Sequence, residues 1–212
     1  MVNMEQGKVT TLTLLDLFAA FGTLDHKSII DLLSKWYGIS GTALQWFNSY
    51  LSSRQQKVKL LDTLSEPVEV EYGVPQGSVL GPMLFTLYTT PLSYVIQQHQ
   101  INHHLYADDT QIYITLSSTN PTFSLTQLQK CLQDVFCWMT SSKLKLNADK
   151  TEFLLIGTQV QRDKFSECFP TKLLDQDVCP ALSARNLGIS FDSFKFKKSH
   201  KSYMWSMPLS HT

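Results

Sequence analysis

A chain of 212 residues and 24.1 kDa, 43% hydrophobic and 17% charged, is long enough for a sizeable core and has the composition of a globular protein, which excludes a disordered one. Its 18 Lys and Arg balance 18 Asp and Glu, which excludes a uniformly basic coat for nucleic acid but allows a local basic surface. The balance conceals a gradient: residues 1–142 carry 7 basic and 11 acidic side chains, and residues 143–212 carry 11 and 7. An acidic body with a basic end suits a cation site beside a phosphate-binding surface, and equally suits ordinary solvated faces.

The first element is the apolar run TLTLLDLFAAF, residues 11–21, which reads as a buried strand leading into a helix, with Asp16 at its middle. Helical spacing of Ile29, Leu32, Leu33 and Trp36 predicts a helix over 28–36 that Gly38 can end. Ser40 can cap the next, which shows Leu44, Phe47 and Leu51 on one face. Val58 and Leu60, then Val68, Val70 and Tyr72, alternate with polar residues on either side of a break, the pattern of a two-stranded ribbon. A Gly- and Pro-dense loop, GVPQGSVLGP, leads into a stretch, 78–99, without Asp, Glu, Lys or Arg. Gly81, Pro82 and Pro91 interrupt that stretch, so it reads as a part-buried helix and not as a membrane span. Residues 103–116 read as strand, tight turn, strand. Residues 122–142 read as a helix with Leu125, Leu128, Leu132, Val135, Phe136 and Met139 as its stripe, and 151–156 and 187–191 as short strands. Helices mixed with antiparallel hairpins indicate an α+β fold, not a doubly wound sheet.

Cys131, Cys137, Cys168 and Cys179 show no CxxC spacing and no paired His, which argues against zinc; Cys131 and Cys137 read as small core residues of a reduced, intracellular protein. The N-terminus has no apolar segment of the signal-peptide kind.

A carboxylate inside an apolar strand is costly unless it is paired or binds a cation, so Asp16 is either a cation ligand or a cap for the following helix. Asp108 and Asp109 are adjacent at the hairpin turn, where they are either solvent-exposed turn residues or ligands. An Asp from a buried strand and an Asp pair from a hairpin turn together supply the hard oxygens that two Mg²⁺ ions need. Gly73, Gly77 and Gly81 let backbone approach a flat or charged ligand, and Gln76 offers both donors and acceptors.

In order along the chain, TLLDLFAAF, YGVPQGSVLGPMLFTLY, LYADDTQIYI and WMTSSKLKLNADKTEFLLIG resemble reverse-transcriptase motifs A, B, C and D of LINE-type non-LTR retrotransposons, and SARNLGISFDS resembles the segment that follows motif D. The resemblance runs from about Thr11 to Asp192. It implies a polymerase palm, an antiparallel sheet backed by helices, over residues 1–192, with the fingers missing, the thumb truncated and residues 193–212 a basic tail. It implies Asp16, Asp108 and Asp109 as catalytic metal ligands, Asp109 the less direct of the motif C pair, with the Leu17 carbonyl completing the site for two Mg²⁺ or substituting Mn²⁺. Phe21 then matches the aromatic that excludes a ribose 2′-OH, Gln76 and Gly77 lie near the incoming nucleotide, and Lys150 matches the lysine that protonates leaving pyrophosphate. The implied partners are an RNA template, a DNA primer and dNTPs, with no membrane. The sequence departs from the family at Gly22, where motif A normally carries a second Asp, which points to a copy drifting from activity. An inactive relic that binds nucleic acid through Arg54, Lys57, Lys59 and the tail lysines is the alternative.

Overall fold

The computed structural model describes residues 8–192 and 196–198, apart from 76, 118, 148–149, 166–167, 169–170 and 174–175. Gln76 and most of the expected basic tail therefore lie outside the described residues.

The centre is a four-stranded antiparallel sheet in the order β6-β7-β1-β8, built from β1 (Val9–Leu15), β6 (Asn102–Tyr106), β7 (Asp109–Leu116) and β8 (Glu152–Ile156). β1 is paired on both edges and buried on both faces, which is why its sequence reads as a continuous apolar run and not as an alternation. The strand ends at Leu15, short of the expected 21; a 3₁₀ turn, Ala20–Gly22, follows.

One face of the sheet, with Leu15, Ile112 and Phe153, joins the main core under helices α1 (His26–Lys35), α3 (Gly81–Gln98) and α4 (Pro121–Ser141). Helix α1 begins two residues before the sequence pattern suggested because Asp25 caps it, accepting from the Ser28 amide at 2.8 Å. Pro91 inside α3 cannot donate to Leu87, and that carbonyl is satisfied instead by the Tyr37 hydroxyl at 2.8 Å. In α4 the buried stripe contains Cys131, whereas Phe136 is 43% exposed and Cys137 is exposed, contrary to expectation for both. Burial, then the charge of Asp134, pushes the Cys131 thiol up to about 12, so it behaves as an apolar filler. No helix among the described residues is long and apolar enough to cross a membrane.

The opposite face, with Leu12, Leu14 and Leu154, packs on Ala184 and Phe191 of a three-stranded sheet formed by β11 (Ser183–Asn186), β12 (Ile189–Asp192) and β13 (Phe196–Lys198). The strand expected over 187–191 is split: Leu187 (φ +49°) and Gly188 (φ +74°) form the turn of the β11–β12 hairpin. β13 lies within the segment expected as a basic tail. Helix α2 (Gly41–Leu51) starts at Ser40, whose side chain makes no capping bond, and buries Leu51. The expected ribbon is four two-residue strands, β2 (Gln55–Gln56), β3 (Lys59–Leu60), β4 (Thr63–Leu64) and β5 (Val68–Glu69), nested as pairs β2-β5 and β3-β4. All four are exposed, so no packed face extends their pairing. A small helix, α5 (Gln159–Asp163), and the hairpin of β9 (Thr171–Leu173) with β10 (Gln176–Val178) complete the described elements.

Candidate active site

Strand parity decides which acids meet. The β1–β7 register pairs Leu14 with Gln111 and Leu15 with Thr110, so Asp16 and Asp109 follow on the face shared by Leu14 and Gln111. Both line a cavity of about 270 Å³, together with Lys150, Glu152, Arg185 and Asn186. Asp108 occupies the turn, beside Ala107 (φ +51°), and is not in the lining. Asp109, expected as the less direct partner, is therefore the one that joins Asp16 in the cavity.

Later segments of the chain hold the two carboxylates. Asn147 donates from Nδ2 to Asp16 Oδ2 at 3.0 Å, and its backbone amide donates to the Asp16 carbonyl at 2.9 Å. Leu17 bridges Leu146 in the same segment. Lys150 Nζ stands 3.6 Å from Asp16 Oδ2, an exposed and weak pair. Asn186 donates to Asp109 Oδ1 at 2.9 Å. Burial, then the charge of Asp108, raises the Asp109 pKa; the Asn186 bond opposes this, Asp16 adds to it and Lys150 opposes it.

The residues expected on the nucleotide side are set by a different contact. Phe21 stacks at a tilt on Phe85 of α3, with ring centroids 4.8 Å apart, and packs against the core. Its carbonyl accepts from Val74 at 2.8 Å, which ties the motif A turn to the glycine-rich loop. The two segments approach so closely that a Cβ on Gly73 (φ +83°) would lie 3.0 Å from the Cα and O of Gly22 and the O of Phe21. Gly77 is a turn residue with φ +77°. Neither Phe21 nor Gly77 lines the acid cavity.

A hard cation fits this donor set. Three carboxylates, Asp16, Asp109 and Glu152, outnumber the two cations Lys150 and Arg185 in the lining, and a divalent ion would offset the excess negative charge. Among the described residues no three His, Cys, Asp or Glu side chains form a group that could hold a metal. Mg²⁺ suits such a site, because it commonly takes one or two carboxylates and completes its shell with water and substrate phosphates.

Sequence reasoning missed Asn147, Glu152, Arg185 and Asn186. Asn147 and Glu152 flank the singled-out Lys150, and Arg185 and Asn186 lie inside the quoted SARNLGISFDS, so their positions beside the motifs were the available signal. A larger cavity, about 590 Å³, shares none of these residues; it lies between α1, α2 and β5 around Asp25, Arg54, Tyr72 and Lys143. There Lys143 bonds Asp25 at 2.8 Å and stands over the Tyr72 ring, a contact that joins three segments and reads as structural.

Residues 2–191 match the family described as reverse transcriptase (RNA-dependent DNA polymerase). The chain is 27% identical over 198 residues to the probable RNA-directed DNA polymerase from transposon BS of Drosophila melanogaster, an alignment covering 84% of this chain and 19% of that protein. The chain thus corresponds to about one fifth of that relative's length. Among solved structures, apo telomerase from Candida tropicalis, truncated from its C-terminal domain, superposes with a TM-score of 0.61 at 12% identity, over 90% of this chain and 36% of that one. Telomerase from Candida albicans, in complex with a fragment of telomeric RNA, gives 0.61 at 12% identity, over 95% and 32%. These likenesses show a shared fold of open sheets backed by helices. The chain belongs to the reverse transcriptase family and is related to the RNA-directed DNA polymerases of non-LTR retrotransposons.

Proposed function

We propose that this member of the family is the catalytic palm of an RNA-directed DNA polymerase, extending a DNA primer on an RNA template. The observation that carries the reading is the cavity shared by Asp16, Asp109 and Lys150 beside the central strands. In the reaction a primer 3′-OH attacks the α-phosphorus of a dNTP and pyrophosphate leaves. Two Mg²⁺ ions, or Mn²⁺ in their place, would ease deprotonation of the 3′-OH and balance the charge that builds on the phosphate oxygens. Asp16 and Asp109, with the Leu17 carbonyl, would hold them, and Asp108 would add its charge from the turn. Lys150, 3.6 Å from Asp16 Oδ2, would give the departing pyrophosphate a proton. Phe21 would border the sugar and exclude a 2′-OH, while Gln76 and Gly77 would lie along the nucleotide.

Catalysis of this kind is mostly positioning, worth roughly 7–11 kcal/mol of the barrier. In the family, fingers and thumb supply much of it. The chain matches 19% of the transposon BS polymerase, and we expect these 212 residues assayed alone to turn over slowly. Gly22, where motif A normally has a second Asp, favours one other reading: a silent relic that retains the fold and weak nucleic-acid binding.

Primer extension on an RNA template with Mg²⁺ or Mn²⁺ separates the two. Slow extension that is lost in Asp16→Asn and Asp109→Asn supports the polymerase. Salt-sensitive binding with no extension supports the relic, and extension that survives both substitutions overturns the site.

A further inference from the structure

The β11–β12 hairpin covers the sheet face opposite the helices, and Asn186, 8% exposed, ends β11 at the acid cavity. Its Nδ2 donates to Asp109 Oδ1 at 2.9 Å, and its Oδ1 accepts from Gln111 Nε2 at 2.7 Å. The direction of this relay is fixed from one end. A carboxylate only accepts, so Asn186 must turn its NH₂ to Asp109. Its carbonyl oxygen then faces Gln111, which must present its own NH₂. Gln111 follows Asp109 by two residues in β7 and shares its face, so the same strand that carries the acid also sets the amide that holds it.

The companion acid is held in the same way, by the Asn147 amide on Asp16 Oδ2. Asp16 Oδ1 and Asp109 Oδ2 then have no hydrogen-bond partner among the described residues.

We propose that Asn186 is a positioning residue of this carboxylate pair: with its amide oriented by Gln111, it fixes Asp109 beside Asp16 so that their remaining oxygens serve the divalent cations. The inference rests on the cation reading of the site given above. It makes the β11–β12 hairpin, which contributes no carboxylate to the cavity, part of the machinery that shapes the ligand set.

Two readouts test it, both on the full chain without nucleic acid. Mn²⁺ binding by electron paramagnetic resonance should weaken roughly 10- to 100-fold in Asn186→Ala, the range for partners that orient metal ligands. Gln111→Glu is the sharper variant. By charge alone an added carboxylate would tighten Mn²⁺ binding. Through the relay it must weaken it, because Glu at 111 takes the Asn186 NH₂ and turns the Asn186 oxygen onto Asp109. The second readout is the side-chain amide resonance of Asn186, expected downfield in the parent and shifted upfield in Gln111→Glu, with circular dichroism unchanged. A parent that binds Mn²⁺ while both variants bind it as tightly, or a Gln111→Glu variant that binds it more tightly, overturns the positioning role. An Asn186 resonance indifferent to Gln111→Glu overturns the relay. A parent with the relay signature and no Mn²⁺ binding instead overturns the cation reading itself, and this inference with it.

Discussion

Asp16 and Asp109 stand one step past the Leu15–Thr110 pair of the two central strands and line one cavity, with the Lys150 ammonium 3.6 Å from Asp16. Antiparallel pairing makes this proximity a consequence of register: a one-residue slip of β7 against β1 would send Asp109 to the helix face.

Removing either charge should separate activity from stability. Asp16→Asn and Asp109→Asn are each expected to lower Mg²⁺-dependent primer extension at least about 1,000-fold, since metal stabilisation of the transition state is worth several kcal/mol and each ~1.4 kcal/mol is tenfold. Asp109→Asn should at the same time raise the melting temperature of the metal-free protein at pH 7, because it relieves a part-buried acid beside Asp108 and Asp16. Asp108→Asn tests the parity argument: it should cost less activity than Asp109→Asn, as measured by extension rates under one set of conditions.

The two shifted acids give opposite pH signatures. Burial pushes the Asp25 pKa up, but the Lys143 bond, two bonds from Ser28 and the Lys143 charge outweigh it and hold it below the usual value. Its ionisation therefore stabilises the fold fully above the unfolded value of about 3.9 and ceases to as pH falls through the lower folded value. Asp25→Ala should cost about 2–3 kcal/mol at pH 7 through the lost cap and charged bonds, and the deficit should shrink toward pH 3. Asp109 is raised, so its ionisation opposes folding above its folded value, and that opposition fades as pH falls through it. The Asp109→Asn gain in melting temperature should accordingly be present at pH 7 and absent at pH 3. Melting curves of both variants across this range check the signs.

Two glycines at one contact should respond differently. Gly73→Ala puts a Cβ 3.0 Å from Gly22 and Phe21 backbone at φ +83°, and should cost about 1–3 kcal/mol in denaturant unfolding. At Gly22 a Cβ meets nothing within 4 Å, and its φ is not in the left-handed region. Gly22→Asp, which restores the acid of the family motif, should change stability by less than about 1 kcal/mol. Its extension rate then reports whether Gly22 is a lesion.

The central strand, the hairpin with the Asp pair and the long helices were legible because each has an apolar period or a turn that is local in sequence. The identity of the acid facing Asp16 was not, because it depends on β7 starting at Asp109, a one-residue boundary that only the paired sheet fixes. Asn147 and Asn186 were invisible as site residues for a related reason: an exposed-type amide gains a role only when register brings a carboxylate to it. The ribbon over 55–69 misled in length, since its alternation faces no core. Leu187 reads as a strand residue by composition, yet it serves the β11–β12 turn in a left-handed conformation that its type rarely adopts.

A cation held between Asp16 and Asp109 would reveal itself when Mg²⁺ is replaced with Fe²⁺ and peroxide is added, so that a bound metal cleaves the backbone around it. Cleavage near residues 16 and 109, suppressed by excess Mg²⁺ and lost in Asp109→Asn, is the result expected. Cleavage confined to the larger cavity around Asp25 and Glu71, or none at any site, would contradict it.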